Sequence, residues 1–155
     1  SRRRYETINN VVFGKREKYI MSISLIILFT PIVAYLAAGT LKFVINSIYD
    51  RSLSLSKIGM GGFPSTHNTI TSSTASAVGF EFGFLTIEFL ICFTILLIVA
   101  IDSVDLRQKI SEHAKLINKI NDKTILRTKI GHTAFEMFGG LILGFLVGFL
   151  LSYIN

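Results

Sequence analysis

The chain is poor in the residues that soluble domains use for their surfaces and cross-links. Of its 155 residues only 17% are charged, and it has one cysteine and no tryptophan. Soluble domains carry about 25% charged residues, so this chain has too little polar surface to cover its apolar mass as a soluble enzyme would. Its single thiol, Cys92, lies in an apolar run, which excludes an internal disulfide and a cysteine-based metal cluster.

Apolar residues are abundant. They make up 50% of the chain, and 13 of them are phenylalanines. This excludes intrinsic disorder, which needs low hydrophobicity and high charge. The length fits one domain, and the net charge of +6 favours phosphate groups or anionic lipid head groups as partners rather than nucleic acid.

Four apolar segments predict an all-α integral membrane bundle with about four transmembrane helices, at residues 19–45, 68–84, 85–101 and 134–153. Residues 1–18 form a basic polar N-terminal segment, and residues 19–155 form the membrane-embedded domain. The second apolar segment is rich in serine, threonine and alanine. We expect it to be an interior helix shielded by its neighbours rather than a surface helix.

Two loops should emerge on the same membrane face. If the four helices alternate in direction, residues 46–66 and 102–131 share a side, and these loops with the histidines that directly follow them hold nearly all the candidate chemistry outside the N-terminal segment. Within the second loop, residues 106–120 have apolar side chains at helical spacing, which predicts an interfacial amphipathic helix.

The last apolar segment carries glycines four residues apart, at Gly140, Gly144 and Gly148. Such small residues allow two membrane helices to approach closely. We therefore expect this helix to pack against a membrane partner or a second copy of the chain.

The first polar cluster, residues 57–67, is suited to an anion. Its glycines allow backbone N–H groups to turn toward a phosphate, and Lys57 adds a full charge. Ser65 or Thr66 would cap the following helix, and His67 would supply a titratable proton donor. The alternative is a plain Gly-Pro turn with an ordinary cap and an exposed histidine.

The second cluster, residues 127–136, pairs an imidazole with a carboxylate. His132 and Glu136 are four residues apart and share one face of a helix. A carboxylate on one ring nitrogen fixes the tautomer and leaves the other nitrogen free to attack or to accept a proton. The alternative is a structural ion pair at the membrane boundary.

The third cluster lies at the end of the third apolar segment. We expect Asp102 to orient Arg107 or another basic group of the site. A metal site formed by Asp102 and Asp105 is the weaker alternative, and we expect no metal. His113, on the amphipathic loop helix, is expected to be a surface residue.

Taken together, these motifs resemble the type-2 phosphatidic acid phosphatase and vanadium haloperoxidase superfamily, in its divergent bacterial membrane branch. The resemblance covers residues 40 to 150. The blocks that carry it are Gly62 to His67, Asp102 to Arg107, Ala114 to Asn118, and Gly131 to Glu136.

The resemblance implies a role for each matched residue. The phosphate-binding positions of the superfamily match Lys57, Ser65 and Arg127, its general acid matches His67, its nucleophile matches His132, and the carboxylate that orients the nucleophile matches Glu136. Phe63 stands where the superfamily has an arginine before the proline. Arg107 is the candidate to replace that arginine, and Thr66 is a further candidate phosphate ligand.

The resemblance also implies a function. We expect a membrane lipid phosphatase that hydrolyses a phosphomonoester or diphosphate of a polyprenyl or phosphatidyl lipid through a phosphohistidine, without a cofactor. Its partners would be the lipid phosphate and the bilayer of a bacterial cytoplasmic membrane. The alternative is a non-catalytic membrane subunit that keeps this fold as a lipid head-group-binding scaffold.

Overall fold

The computed structural model describes residues 25, 27–49, 62–120 and 125–154, and these residues form an all-α bundle. Its helices are α1 (Ile27–Tyr49), α2 (Thr66–Phe82), α3 (Ile87–Val104), α4 (Leu106–Ile120) and α5 (Ala134–Ile154). The expected fold class is therefore confirmed, and α4 has the predicted bounds. Helix α1 extends to Tyr49, four residues past its predicted end. The basic N-terminal segment at residues 1–18 and Lys57 lie outside the described residues.

Three of these helices, α1, α3 and α5, are long and apolar enough to cross a membrane. Their large apolar side chains point outward: Leu90 and Ile98 on α3 are 60% and 62% exposed, and Phe149 on α5 is 41% exposed. Exposure of so many large apolar side chains to water would be unfavourable, whereas in a bilayer they contact hydrocarbon. The bundle thus has an apolar exterior and an interior of small and polar residues.

Helix α2 occupies that interior, as expected from its composition. Its buried residues are Asn68, Thr69, Ser72, Ser73, Ala75, Ser76, Ala77, Val78 and Gly79. Two of its hydroxyls donate to backbone carbonyls of α5: Ser72 Oγ to Leu141 O at 2.7 Å and Ser76 Oγ to Phe145 O at 3.0 Å. These bonds satisfy polar groups that would otherwise be costly to bury.

The glycine stripe of α5 makes this close packing possible. A Cβ atom at any of its three positions would collide with a backbone carbonyl oxygen of α2 or of the residue before it, contributed in turn by Ser65, Thr69 and Ser73. The close helix contact expected from Gly140, Gly144 and Gly148 therefore exists within the chain. Because α2 covers this stripe, a partner or second copy would have to contact another face of α5.

A short turn brings the end of α3 beside the start of α2. Gly83 ends α2 with φ +103°, a conformation that favours glycine, and the Thr86 hydroxyl caps α3 by accepting from Phe89 N at 3.3 Å. At the far end of the pair, Asn68 Nδ2 donates to Ser103 Oγ at 3.1 Å. The described ends of the two predicted loops therefore meet on one face of the bundle.

This packing predicts that Gly144 tolerates no side chain. Gly144→Val should destabilise the protein by about 1–3 kcal/mol, because α2 and α5 must separate to admit the branched side chain. The measurement is thermal unfolding in detergent, and Gly39→Ala is the matched control, since a Cβ at Gly39 meets nothing within 4 Å. Equal melting temperatures for Gly144→Val and the wild type would contradict the described contact.

Candidate active site

His132 is held by its backbone between two helices. Its N–H donates to the carbonyl of Ser103 at the end of α3 (3.0 Å), and its own carbonyl accepts from Gln108 Nε2 on α4 (2.7 Å). The preceding residue, Gly131, lies close to Gln108: a Cβ atom on Gly131 would be 2.7 Å from the backbone nitrogen of Gln108. The residue is 6% exposed, so the imidazole occupies a fixed, nearly buried position.

The ring of His132 is oriented by Glu136. Their Nδ1 and Oε2 atoms are 3.1 Å apart. The same oxygen accepts from the N–H of Thr133 at 3.0 Å, while the Thr133 hydroxyl accepts from the N–H of Glu136 at 3.2 Å. This reciprocal pair is a capping box at the start of α5. We assign the ring proton to Nδ1 from this contact, which leaves Nε2 with a free lone pair.

The capping box was readable from the sequence. A threonine followed three residues later by a glutamate, just before an apolar run, marks a helix start. The pattern links two roles of Glu136, because the carboxylate that starts α5 also holds His132. The pairing at spacing i, i+4 was expected, whereas the bond to the Thr133 backbone was not.

A cavity of about 580 Å³ opens beside His132. Its polar or charged lining is formed by Thr40, Lys42, Thr66, His67, Arg107, Arg127 and His132. Its less polar lining is formed by Tyr35, Leu36, Gly39, Phe43, Ile70 and Ile130. The α1 residues of this wall run from Tyr35 to Phe43, a length of about 12 Å at 1.5 Å per residue. The cavity thus has a cluster of cations on one part of its lining and an apolar wall along a membrane helix on another.

Lys42 is the site residue that sequence reasoning missed. By position it is a charge near the end of the first apolar segment. In the structure it is 3% exposed and its Nζ donates to Thr66 Oγ1 at 3.2 Å. An ionisable residue inside a membrane helix is costly, and such residues usually mark a functional site. The sequence shows this charge inside an apolar segment, but it does not show that Thr66, 24 residues away, is the hydrogen-bond partner.

Arg107 reaches the same cavity from the start of α4. Its Nε donates to Asp102 Oδ2 at 2.7 Å. A guanidinium has five N–H donors, so this ion pair leaves others for an anion in the cavity. Asp105 pairs with Lys109 at 2.9 Å. Both carboxylates of the weaker metal-site alternative are therefore paired with cations.

The structure does not bring Ser65 to the cavity. This residue, expected to bind phosphate or to cap α2, is wholly buried, and its hydroxyl accepts from Asn68 Nδ2 at 2.8 Å. Its backbone N–H donates to the carbonyl of Glu136 at 2.9 Å, which ties the start of α2 to the start of α5. The residue thus serves the scaffold around the site, because the chain turns its side chain inward.

Phe63, at the position of the superfamily arginine, also turns away from the cavity. Its ring stacks on Phe135 with centroids 5.0 Å apart and lies over Gly139. The two other candidate arginines, Arg107 and Arg127, both line the cavity. Arg127 is exposed, and its Nε donates to the carbonyl of Lys129 at 3.1 Å. His113 is exposed on α4, as expected.

Burial and positive charge lower the pKa of both site histidines. For His132, desolvation by burial lowers the pKa, Glu136 raises it, and the cations Lys42 and Arg107 lower it further. For His67, desolvation is again the largest cause, followed by the charge of Arg107. The neutral form of His132 suits a nucleophile, whereas a proton donor at His67 needs an anion nearby to hold its proton.

Comparison with known proteins agrees with this architecture. The model of the Divergent PAP2 family matches residues 23–147, and the chain belongs to this family. It is 24% identical over 147 residues to the uncharacterized membrane protein YuiD of Bacillus subtilis (strain 168), an alignment that covers 81% of this chain and 93% of that protein. No solved structure matches the chain. With three apolar helices of membrane-spanning length, this is an integral membrane protein.

The lowered pKa values predict the charge state of the two histidines when no anion is bound. Both rings should be neutral at pH 7 and should gain protons only as the pH falls below about 6.5, the usual value for histidine. Since the unfolded chain would bind those protons first, stability should fall as the pH drops through this range. Histidine ring NMR in detergent tests this, with signals assigned by His67→Gln and His132→Gln. A ring that is half protonated above pH 7 would contradict it.

Proposed function

We propose that this protein is a membrane lipid phosphatase that hydrolyses a phosphomonoester or diphosphate of a polyprenyl or phosphatidyl lipid. The observation that carries the proposal is the position of His132 at the cavity: its ring is fixed by Glu136 and faces a space shared with Lys42, Arg107 and Arg127. A carboxylate-oriented imidazole beside several cations is suited to nucleophilic attack on a phosphoryl group.

The cations would bind the phosphoryl oxygens. Lys42 and Arg107 come from separate helices, and Arg127 comes from the segment before α5, so they surround an anion from different sides. Each charge-assisted hydrogen bond contributes about 1.5–3 kcal/mol. Thr66, which accepts from Lys42, offers a hydroxyl at the start of α2. Together these groups would neutralise the charge that shifts onto the phosphoryl oxygens during transfer.

The reaction would proceed in two displacements. His132 Nε2 attacks phosphorus, the bond from phosphorus to the lipid oxygen breaks, and His67 gives its proton to that oxygen. Water then attacks the phosphohistidine, loses a proton to His67 and releases inorganic phosphate. The bound phosphate dianion favours the protonated form of His67 and so opposes the loss of charge caused by burial.

The apolar wall of the cavity supports a lipid substrate. Tyr35, Leu36 and Phe43 of α1 and Ile70 of α2 line the same cavity as the cations. Burial of apolar surface contributes about 25 cal/mol per Å², so a prenyl or acyl chain along this wall would add affinity that a water-soluble phosphate lacks. The same wall would place the phosphate group at the polar face of the bilayer.

The role assignment predicts different defects for the two histidines. His132→Ala should abolish both turnover and any acid-labile phosphoenzyme, because the attacking nitrogen is lost. His67→Ala should slow turnover, and least for an aryl phosphate, whose good leaving group needs no proton. Rapid-quench trapping with a labelled substrate measures both. If His132→Ala still forms phosphoenzyme and His67→Ala does not, the roles are reversed.

The cation assignment predicts the binding of vanadate as a phosphate analogue. Lys42→Met, which keeps a long apolar side chain, should weaken vanadate binding by roughly tenfold or more, and Arg127→Ala should do the same. Lys57→Ala tests in the same assay the lysine expected from the sequence. Lys109→Met is the matched control, since Lys109 pairs with Asp105. Unchanged affinity in both Lys42→Met and Arg127→Ala would remove these residues from the site.

A further inference from the structure

The block from Ala114 to Asn118 has no role in the chemistry above, yet its asparagine makes three hydrogen bonds to the backbone of residues 125 and 126. Asn118 Oδ1 accepts from the backbone N–H groups of Ile125 (3.0 Å) and Leu126 (2.8 Å). Its Nδ2 donates to the carbonyl of Leu126 at 2.8 Å. One side chain of α4 thereby binds both N–H and carbonyl groups of the two residues just before Arg127.

A second side chain of α4 holds the other end of the same segment. Ser111 Oγ accepts from the N–H groups of Ile130 and Gly131, each at 3.1 Å, and donates to the carbonyl of Arg107 at 3.0 Å. Because Ser111 donates to its own helix, its hydroxyl oxygen is oriented toward the segment. The next residue after this attachment is His132.

The two attachment points lie on one face of α4. Residues 111, 114 and 118 are spaced by three and four, so they form a single stripe, and Ala114 between them is 5% exposed. The rise from 111 to 118 is about 10.5 Å. The five residues from 126 to 130, joined by four Cα–Cα steps, reach at most about 14 Å when extended. The segment therefore has little slack between its attachments, and Arg127 comes directly after the first.

We propose that Asn118 and Ser111 are positioning residues that fix Arg127 and His132 at the cavity. The proposal rests on the proposed function, since it treats Arg127 as a phosphate ligand. Arg127 is exposed, and without the attachment its backbone would have to be ordered each time an anion binds. Prior ordering by α4 removes that entropic cost from binding.

The two residues should act on different kinetic constants. Asn118 binds the backbone just before Arg127, the proposed phosphate ligand. Loss of Asn118 should therefore raise KM and weaken vanadate binding while kcat changes little. Ser111 adjoins His132, so its loss should lower kcat. A general loss of folded protein would not separate the two constants in this way.

The test is a double-mutant cycle with vanadate as the probe, on the full chain in detergent. Asn118→Ala should weaken vanadate binding by about tenfold, as the loss of its hydrogen bonds implies. Asn118→Asp keeps both acceptor contacts but loses the donor to the Leu126 carbonyl and adds a negative charge near Arg127, so it should recover only part of the affinity. Because Asn118 acts through Arg127, Asn118→Ala combined with Arg127→Ala should bind no more than about twofold worse than Arg127→Ala alone. His113→Ala, an exposed change on the same helix, is the control.

The proposal would be overturned if the double mutant lost vanadate affinity by the product of the losses in Asn118→Ala and Arg127→Ala. It would also be overturned if His113→Ala lost as much affinity as Asn118→Ala. Limited trypsin digestion separates this failure from failure of the proposed function. Cleavage after Arg127 and Lys129 should be faster in Asn118→Ala than in the wild type and in His113→Ala. If the wild type binds no vanadate, the proposed function and the role of the attachments toward phosphate fail together. Unchanged cleavage would overturn the attachment itself, whatever the protein binds.

Discussion

The contact between α2 and α5 is the constraint on which the site depends. Helix α2 has hydroxyl and amide side chains on its buried face, and in a hydrocarbon environment these need partners inside the protein. Glycines on α5 let the backbones meet, so that serines of α2 reach α5 carbonyls. The same contact brings the N–H of Ser65 to the carbonyl of Glu136. The first turn of α2, with His67, is thereby fixed beside the first turn of α5, with the carboxylate that orients His132.

Positive charge accumulates around this junction. Lys42 is nearly buried, and Arg107 and Arg127 line the same cavity, while Asp102 and Glu136 are each engaged by a basic group. Burial first, and then this positive charge, lowers the pKa of both histidines. A phosphate dianion would relieve the repulsion. The free energy lost to repulsion among these cations would thus contribute to anion binding, a common relation between stability and function.

The features that the sequence predicted are those set by local periodicity. The helix α4 and the apolar segments follow from the spacing of apolar residues, and the pairing of His132 with Glu136 follows from the pitch of a helix. The glycine stripe predicted a close helix contact, but periodicity does not tell which helix supplies the other side. In the structure that helix is α2 of the same chain.

The features that the sequence missed depend on contacts between distant residues. Lys42 and Thr66 are 24 residues apart and meet only when α1 packs on α2. Ser65 matches a motif by position, but the backbone turns its hydroxyl toward Asn68 and away from the cavity. Asn118 was noted as part of a motif, whereas its attachment to the segment before Arg127 depends on how that segment folds back along α4.

The central claim is that this cavity performs phosphate chemistry on a lipid. It is tested most directly by measuring inorganic phosphate released by the purified protein from a panel of polyprenyl and phosphatidyl phosphates, in detergent and in the presence of a metal chelator. The account predicts release from at least one lipid phosphate, and faster release than from a water-soluble phosphate monoester of the same leaving group. Binding of anionic lipids without release from any member of the panel would contradict it and would identify a lipid head-group-binding scaffold instead.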